Sequence, residues 1–493
     1  MAFLPTGDFD MKKIIFALAA ILLLAPGTQA APPKWEQSLI NVQATRKTYN
    51  PSRPWSRSSS TTVKTAMVIG KNQFLTTAEG LQDLSMLRVQ KDGRGTWWDG
   101  KLKWVDYHAN IAVVSAAEEE FSEGLVPVKM GNVDTSKKDW QILRWKSGNV
   151  EKRAAEFNQF LVQEGRLTFI QHLQLEASSE IDAVGWGEPL VSGGKVVAIA
   201  TGQADNNIRF IPVKFFRKVL AARQAGKNRG LGYFPFVWSP VANPETYKFL
   251  KLDGEPRGAM VLEVPVIPRV KGRLKPKDII LEVDGFPIDN EGYYRDPDLG
   301  LIIMENLSTR GKLAGDVVKM KIWRDGKAIN VNYPLPPIRY TDKLLPERTF
   351  DQEPEYLIVG GLMFQPLNVP LLRAFGGNWR TRAPFRLSKL ASELPTKERK
   401  AMVALTVVIP DPYNLGYQNA RWLPLDTIND QRISTIADIR AALKKPINGF
   451  HEVRFMKGSS TERMVLDADR ERETTQRILR HYRIPAPSFF GTN

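Results

Sequence analysis

The sequence predicts a mainly β chain with some α structure, namely an all-β barrel or sandwich followed by two smaller α+β units. Short apolar runs alternate with turns as far as Pro212, and the first clear helical pattern is Val213–Ala222. Beyond that helix, the order strand, turn, strand, Asp-Gly turn, helix and strand occurs in 231–335 and again, more loosely, in 346–481. A length of 493 residues also suits about three domains.

Composition excludes several kinds of chemistry. The chain has no cysteine, which rules out disulfides, thiolate nucleophiles and cysteine-ligated metals. Its four histidines show no paired spacing, and the sequence has no Walker loop or dinucleotide fingerprint, so we expect neither a metal nor a cofactor. The net charge of +16 indicates a generally basic surface, or attraction to an anionic envelope surface or acidic clients. Nucleic acid is not an expected partner, because no long Lys/Arg block occurs.

The N-terminus has the pattern of a secretory signal peptide over residues 1–30. Lys12 and Lys13 precede an apolar run over 14–24, and small residues lead to a predicted cleavage site after Ala30. The run is shorter than the roughly 20 residues of a membrane span. We therefore expect export across the inner membrane and a periplasmic or cell-envelope location. A retained anchor is the alternative, and Met11 is a second candidate start.

The first domain is predicted to consist mainly of short strands after an extended N-terminal arm. Residues 31–60 are rich in Pro, Ser and Arg and predict an extended N-terminal arm with one short strand, Ser38–Ala44. A domain over 61–225 then begins with a hairpin around the turn Gly70–Asn72. The predicted strands of this domain are Ala66–Ile69, Gln73–Thr77, Trp104–Tyr107, Ile111–Ser115, Leu125–Lys129 and Phe210–Pro212.

Linkers separate the remaining units. Residues 224–229 read as the first linker and residues 336–345 as the second. In the last unit, a helix is predicted at Thr435–Leu443 and a strand at His451–Met456. The tail over 482–493 contains prolines and is predicted to be poorly ordered.

Three short segments, called the framed segments below, hold the candidate functional residues. The first is Leu75–Leu81 (LTTAEGL), the second His108–Val114 (HANIAVV), and the third a glycine-rich turn, Gly185–Pro189, before the apolar run Lys195–Ala200. Their order and spacing resemble the segments that hold the base, the acid and the nucleophile in the Deg/HtrA family of trypsin-like serine proteases. Those segments read like LTNAHVV, CDLALL and GNSGGP in that family.

The resemblance extends along residues 38–480. Asn207–Val213 looks like the strand and Ile-Pro turn that close the family's protease domain, and Leu274–Ile280 with Asp284–Ile288 looks like its PDZ domain. Tyr356–Ala374, with its Gly360-Gly361 pair, is similar to the atypical second PDZ domain of the plant and fungal Deg branch. The resemblance therefore implies a chymotrypsin-like double β-barrel followed by two PDZ-like α+β domains.

All three catalytic positions depart from the family. Glu79 stands where the family has histidine, Asn110 where it has aspartate, and Trp186 where it has the nucleophilic serine. Because a serine protease needs base, acid and nucleophile in one hydrogen-bonded line, we expect no catalytic residue here. Glu188 also replaces a small glycine beside the expected oxyanion loop, where a carboxylate would oppose a developing negative charge.

Three residues around this site, Trp186, Ser192 and His108, each need an interpretation. Trp186 is interpreted as a plug of the cleft, with an exposed anchor for a client's apolar side chain as the alternative. Ser192 in the Ser-Gly-Gly sequence is interpreted as part of a turn. His108 could approach the site, although a surface position at a strand end is the preferred interpretation.

The first PDZ-like unit offers a second kind of activity, which is peptide capture. The predicted site consists of Arg257, Gly258, Ala259, Met260 and Val261, a glycine-containing loop that leads into an apolar strand. PDZ-like grooves bind an extended chain as an added strand and hold its carboxylate with backbone N–H groups. An ordinary strand after an ordinary turn, with the groove closed or used internally, is the alternative. Gly360-Gly361 is a candidate assembly loop of the second unit.

Together these observations predict a catalytically inactive Deg/HtrA-like protein that binds peptides, unfolded proteins or partner proteins as a chaperone or scaffold in the cell envelope. Two alternatives stay open. One is a serine-type endopeptidase of protein quality control that uses non-standard residues, and the other is a regulatory subunit of an active Deg/HtrA paralogue. A homo-oligomer or an assembly with such a paralogue is expected.

Overall fold

The structure is a computed structural model that describes residues 34–267 and 270–490. The predicted signal peptide over 1–30 and the last three residues of the tail lie outside the described residues. From Glu36 onward the chain forms one compact unit. None of the helices in the described part of the chain is long and apolar enough to cross a bilayer.

The first sheet is a closed barrel. Its strand order is β1-β2-β3-β6-β5-β4, and all neighbouring strands are antiparallel. Ala66, Val68, Phe74 and Val114 are among the apolar side chains that fill its interior. The strands are β1 Leu39–Asn50, β2 Arg53–Gly70, β3 Gln73–Thr76, β4 Leu84–Gln90, β5 Trp98–Asp106 and β6 Ile111–Ala116.

The predicted N-terminal arm is corrected by this barrel. Instead of one short strand at Ser38–Ala44, strands β1 and β2 form a hairpin that is paired from Leu39 to Asn50. The outer half of β2 is mostly exposed and polar, so the sequence lacks the apolar alternation by which strands are recognised. The predicted hairpin around Gly70–Asn72 is present as β2 and β3.

The second sheet has seven strands in the order β8-β7-β11-β12-β13-β10-β9, and helix α1 follows it. The sheet ends at β8 and β9 and does not close by hydrogen bonding, unlike the predicted second barrel. Charged, exposed side chains along β8 leave its outer edge unsuited to further pairing. The elements are β7 Gln141–Lys146, β8 Asn149–Ala154, β9 Glu156–Glu164, β10 Gln171–Ser178, β11 Pro189–Ser192, β12 Lys195–Ala204, β13 Asn207–Pro212 and α1 Val213–Gln224.

Two strand and helix predictions of this region have clear outcomes. The helix expected at Val213–Ala222 is confirmed as α1, which ends two residues later at Gln224. The strand expected at Leu125–Lys129 is wrong, because this segment has irregular backbone. Its N–H groups at Val126 and Val128 still donate to Gln37 and Val68 of neighbouring segments, so the apolar composition reflects packing between elements.

The third unit, over 231–335, has a five-strand path in the order β14-β15-β16-β20-β21, with β17 beside β16 and a separate β18-β19 hairpin. Its apolar core includes Leu173 of β10, so this unit and the second sheet share a core. The elements are β14 Val237–Ser239, α2 Pro244–Phe249, β15 Ala259–Glu263, β16 Ile279–Val283, β17 Phe286–Pro287, β18 Tyr293–Asp296, β19 Gly300–Ile303, α3 Asn306–Thr309, β20 Val317–Arg324 and β21 Lys327–Pro334.

The last unit is a second α+β sheet, in the order β28-β27-β25-β24-β23-β22-β29, with β26 beside β25. Helix α7 and strand β27 lie within one residue of the predicted helix and strand. The elements are β22 Tyr356–Val359, β23 Leu362–Pro366, α4 Val369–Leu372, α5 Trp379–Arg382, α6 Phe385–Leu390, β24 Val403–Val408, β25 Leu423–Ile428, β26 Gln431–Arg432, α7 Ile436–Leu443, β27 Phe450–Phe455, β28 Arg463–Asp467, α8 Glu471–His481 and β29 Ser488–Phe489.

The tail is the second major correction. Residues 482–490 were expected to be poorly ordered, yet Ser488–Phe489 forms β29 against β22. Ile484 is buried, and its N–H donates to Leu479 O across the end of α8. The prolines of the tail are unfavourable for a strand, so the local sequence did not indicate one. The strand forms because the tail pairs with β22, which is distant in sequence.

Candidate functional site

The structure brings the three framed segments together at one end of the first two sheets. Asn110 Oδ1 accepts a hydrogen bond from Glu79 N at 3.0 Å, which connects the first two positions. The loop of Trp186 lies against β2, where Thr65 N donates to Trp186 O at 3.1 Å. Gly187 allows this approach, since a Cβ on it would lie 2.5 Å from Thr65 O.

A lysine that the sequence analysis did not single out lies between these positions. Lys64 of β2 is only 2% exposed, and its Nζ donates to Thr77 Oγ1 at 2.6 Å and to Glu79 O. The same Nζ lies 5.6 Å from the ring centre of Trp186. Alternation along β2 was the available signal, because a strand places Lys64 on the same face as the apolar Ala66 and Val68.

Burial dominates the electrostatics of this lysine. Loss of hydration lowers the pKa of Lys64 to about 7, while the nearby carboxylates of Glu79 and Glu188 act in the opposite direction. Lys64 and Thr77 have the spacing of a base and a hydroxyl nucleophile. Thr77 is fully buried, however, so its hydroxyl cannot reach a peptide bond in solution.

Glu79 is engaged in an ion pair rather than with a nucleophile. Its Oε1 lies 3.0 Å from Arg166 Nη2, and its Oε2 is buried without a hydrogen-bond partner among the described residues. Burial raises the pKa of the Glu79 carboxyl above its ordinary range, and Arg166 and Lys64 oppose that rise. Among the described residues, neither carboxylate oxygen of Glu79 is therefore hydrogen-bonded to a hydroxyl group that it could activate as a base.

Arg166 itself is a site residue that no motif revealed. It belongs to the loop between β9 and β10 and crosses the cleft towards Gly202 of β12, where a Cβ would lie 3.1 Å from Arg166 Nη1. The linker after residue 335 holds this loop, because Arg348 Nη2 donates to Arg166 O at 2.9 Å and Tyr340 Oη donates to Leu167 O at 2.6 Å. The guanidinium thus occupies space beside the Glu79 position.

The glycine-rich turn keeps its N–H donors for the protein itself. Glu188 Oε2 accepts from Gly185 N at 2.8 Å and from Trp186 N at 2.7 Å. Val184 N donates to Gln203 Oε1 at 3.1 Å, and Gly187 N donates to Ala200 O at 3.2 Å. The four successive N–H groups from Val184 to Gly187 are therefore paired within the chain.

Glu188 is the largest departure of this turn from an anion-binding loop. The side chain is 4% exposed, and burial raises the pKa of its carboxyl, against the effect of the two N–H groups and of Lys64. An oxyanion of acyl transfer needs free N–H donors at this place. Here a carboxylate of the chain already takes them.

Trp186 closes only part of the cleft. Its indole packs against Gly80, where a Cβ would lie 3.4 Å from Cζ3, and against the Lys64 side chain. The residue as a whole is half-buried. Both the plug and the anchor interpretation are compatible with this position.

Ser192 was interpreted as part of a turn, but it is the last residue of strand β11, and the turn itself consists of Gly193 and Gly194. Gly193 and Gly194 connect β11 to β12 with φ of 55° and 69°, which glycine adopts without strain. Ser192 Oγ donates to Asp139 Oδ1 at 2.6 Å, and Gly193 N donates to Asp139 Oδ2 at 2.7 Å. Asp139 stabilises the hairpin and does not act as a base for a reactive serine.

His108 is directed away from the glycine-rich turn. Its Nδ1 lies 2.9 Å from Thr168 Oγ1, and its ring centre lies 4.5 Å from that of Tyr340 in the linker. Burial lowers the pKa of His108 to about 4. The neutral imidazole therefore helps to pack the linker against the β9–β10 loop.

A cleft of about 380 Å³ opens beside these residues. Asn110 is one of its lining residues, and charged side chains of both signs also line it. The other lining residues are Glu164, Gly165, Arg166, His172, Gln174, Glu176, Thr201, Gly202, Gln203, Ala204, Asn207, Arg209 and Ile211. Among the described residues, no group of three or more His, Asp or Glu has the geometry of a metal site.

The predicted peptide site at Arg257–Val261 is corrected by the sheet order. Strand β15 is paired on both sides, with β14 through Trp238 and Val261 and with β16 through Ala259 and Ile280. It therefore has no free edge for another chain. Met260 pairs with Ser239 and with Ile279 in the same way.

The polar groups of the loop before β15 are also hydrogen-bonded within the chain. Gly258 has φ of 81° and donates its N–H to Ile288 O at 3.0 Å, and the Arg257 guanidinium donates to Asp253 O and Glu255 O. A Cβ on Gly258 would lie 2.5 Å from Ile279 Cγ2. This glycine allows close packing of the sheet. The loop before β15 is therefore not the loop that would bind the carboxylate of a peptide.

The strand path ends at β14, which is where an added strand could pair. Val237 of β14 is 44% exposed. Trp238 connects this strand to the start of α3, because its Nε1 donates to Glu305 Oε1 at 2.6 Å. The pairing order identifies β14 as the edge strand and β15 as an inner strand of this sheet.

The Gly360-Gly361 turn is held tightly in the second α+β unit. Gly360 N donates to Thr475 Oγ1 at 2.8 Å, and Asn414 Nδ2 donates to Gly360 O at 2.9 Å. A Cβ on Gly360 would lie 2.4 Å from the Tyr413 ring. These contacts explain both glycines by packing, and an assembly role stays a prediction.

Comparisons with known proteins agree with this architecture. A family model described as a PDZ domain matches residues 345–488. The mitochondrial Do-like 3 protein of Arabidopsis thaliana is 22% identical over 443 residues, covering 88% of this chain and 76% of its own length. The mitochondrial protease Do-like 4 of the same plant is 21% identical, covering 94% of this chain and 89% of its own length.

A solved structure of an HtrA-type protease, AlgW with a decapeptide, is also similar. It shares 17% sequence identity, covers 63% of this chain and 97% of its own length, and superposes with a TM-score of 0.45. The predicted mainly β fold is confirmed by the sheets described above, and the PDZ model matches the last unit.

Proposed function

We propose that this chain, which belongs to the Deg/HtrA family and carries a PDZ domain, binds peptides or unfolded partner proteins without cleaving them. One observation carries the proposal. All four N–H groups from Val184 to Gly187 are paired inside the chain, two of them with the Glu188 carboxylate. A tetrahedral intermediate would find no donor there, and Trp186 offers no nucleophilic atom in place of serine.

The test restores the three triad residues and leaves the N–H groups of the glycine-rich turn hydrogen-bonded to Glu188. We expect no casein cleavage by the purified mature chain, and none by the triple variant Glu79→His, Asn110→Asp, Trp186→Ser. The triple variant regains a base, an acid and a nucleophile, but Glu188 still holds the N–H groups. Circular dichroism serves as the control for folding. Cleavage by the unaltered chain that serine-protease inhibitors abolish would overturn the proposal.

Peptide binding is proposed at the outer edge of β14 rather than at β15. The edge position of β14 and the exposure of Val237 support this assignment. An extended peptide can add a strand there, with its carboxylate directed towards the loop over 230–236. Affinities on the order of micromolar, about −8 kcal/mol, are expected for so short an edge.

Calorimetry on the full chain tests this assignment, since the shared core with Leu173 argues against isolating the domain. Peptides with a free carboxylate should bind more tightly than their amides, because amidation removes the charge. Val237→Asp should weaken binding. Val317→Asp, at an exposed valine of β20 in the same sheet, is the matched control and should not. Equal loss in both variants would contradict a site at β14.

Export to the cell envelope is part of the proposal and is supported by the sequence pattern of residues 1–30. N-terminal sequencing of the protein from its native cells should give a chain that starts near Ala31. A chain that retains residues 14–24 would support an anchor instead.

A further inference from the structure

The C-terminal tail occupies an edge of the last sheet as a strand would. Ser488 and Phe489 pair antiparallel with Leu357 and Tyr356 of β22. Ile358 N donates to Pro487 O at 2.7 Å, and Tyr356 Oη donates to Ala486 O at 3.1 Å. Without the tail, β22 would be the free edge of this sheet.

The tail holds both faces of that edge with aromatic side chains. Phe489 packs on one face, against a cluster formed by Tyr356, Ile358, Met363, Ile409, Ile478, Leu479 and Ile484. Phe490 packs on the other face, against the main core of the unit, and the Arg440 guanidinium lies 4.5 Å from its ring centre. The match to the PDZ domain ends at Ser488, so both aromatic anchors lie beyond it.

The attachment has features of an exchangeable ligand. Its ladder contains only two residue pairs, whereas the edge strand at the other end of the same sheet, β28, pairs with β27 through five. Arg483, with φ of 54°, follows the C-cap residue Tyr482 of α8 and lies in the short segment that connects the helix to the strand. Pro485 and Pro487 favour an extended backbone in that segment and donate no N–H groups, so the tail is prepared for strand addition at little entropic cost.

A third element completes the aromatic cluster from outside the unit. Trp55, near the tip of the β1–β2 hairpin, lies 5.5 Å from Tyr356 between ring centres and packs on the same cluster as Phe489. Gln365 Nε2 donates to Pro51 O at 3.2 Å in the turn of that hairpin. The groove at β22 therefore has a floor of sheet residues and one wall from the first barrel.

We propose that the β22 edge is a peptide-recognition site, separate from the β14 edge, and that the chain's own tail is its built-in competitor. The occupant seen defines the class of peptide that the site takes. This class is an extended segment with an aliphatic residue, two prolines spaced by one residue, and two consecutive aromatic residues that bind opposite faces of the sheet. A partner with such a segment displaces the tail and gains the same contacts. The inference does not depend on whether the protein cleaves peptide bonds.

The test uses a fluorescent peptide with the sequence of residues 483–490 and measures its anisotropy with the full-length chain and three variants. The first variant ends at Arg483. The second, Phe489→Ser with Phe490→Ser, keeps the whole backbone and loses only the anchors. The third, Leu357→Cys with Ser488→Cys, joins two residues that pair across the ladder, and it has no competing thiols because the chain contains no cysteine.

We expect the peptide to bind the first two variants at least about tenfold more tightly than the full-length chain, since the resident competitor is removed or weakened. The oxidised double-cysteine variant should not bind it, and reduction should restore the weak binding of the full-length chain. Phe385→Ser, at an exposed phenylalanine of α6, is the matched control and should behave like the full-length chain.

Three results would overturn the proposal. One is failure of the peptide to bind either tail variant when circular dichroism shows both to be folded. Another is equal binding to the oxidised double-cysteine variant, which would locate the peptide elsewhere. The third is equal binding of a control peptide in which both phenylalanines are serine, since the aromatic anchors would then play no part.

Discussion

Lys64 is the charged group between the candidate positions, because it contacts the segments of Glu79 and Trp186 and is connected to Asn110 through Glu79. Its Nζ bonds to the backbone of Glu79 and lies near the ring of Trp186, and Glu79 N in turn bonds to Asn110. Retaining an ammonium in an apolar strand is costly unless partners compensate for lost hydration. The hydroxyl of Thr77 and the carbonyl of Glu79 supply that compensation.

The lowered pKa of Lys64 leads to a pH dependence of stability. Between pH 7 and the ordinary pKa of lysine, the unfolded chain binds this proton and the folded chain does not. The free energy of unfolding should therefore rise, on the order of 3 kcal/mol, as the pH increases from about 7 to about 10. Denaturant titrations at several pH values measure this slope.

Lys64→Met should remove most of that slope, while Lys101→Met, at an exposed lysine of β5 in the same barrel, should leave it unchanged. A slope that persists in the Lys64 variant would mean that other groups cause it. An unaltered chain without any slope would show that Lys64 keeps its proton in the folded state.

At the scale of elements, the β1–β2 hairpin and the linker before β22 join the first barrel to the last unit. Asp83 and Asp351 bond reciprocally, each backbone N–H donating to the other carboxylate at 2.8 and 2.9 Å. Tyr107 Oη donates to Asp351 Oδ2 at 2.6 Å in the same junction. Two carboxylates are thus held close together between the units.

This junction should respond to acid. Burial first, and then the negative charge of Asp351, raises the pKa of Asp83 to about 6. The folded chain therefore binds a proton that the unfolded chain releases, and stability falls as the pH rises from about 4 through about 6. Asp83→Asn keeps the acceptor oxygen and removes the charge, so this variant should unfold at a higher temperature at pH 7 and lose the dependence.

Thermal unfolding from pH 4 to pH 7 is the measurement. Asp92→Asn, at an exposed aspartate in a turn of the same barrel, is the matched control and should follow the unaltered chain. Identical pH profiles for Asp83→Asn and the unaltered chain would contradict the assigned role of Asp83.

For the whole molecule, the sequence predicted the features that depend on local order and missed those that depend on pairing. The motif frames predicted that Glu79, Asn110 and Trp186 would meet, and their segments do converge. Arg166 enters from a loop with no motif, held by a linker about 180 residues away, so no local pattern could reveal it. The choice between β14 and β15, and the strand in the tail, likewise follow from sheet order.

We propose that the chain keeps the segments of a serine-protease site, whereas Trp186 supplies no nucleophile and the paired N–H groups supply no free donors for acyl transfer. The interior pairing of Val184–Gly187 makes this a property of the folded turn as well as of three substituted positions. Serine proteases that keep the nucleophile react covalently with fluorophosphonates. The proposal can therefore be tested by measuring the mass of the intact protein after such a reaction.

The most direct test is the intact mass of the purified mature chain after incubation with a fluorophosphonate, beside an active trypsin-like protease as the positive control. We predict an unchanged mass for this chain and complete addition of one phosphonyl group to the control. Stoichiometric addition to this chain, located by peptide mapping to a serine or threonine, would contradict the account.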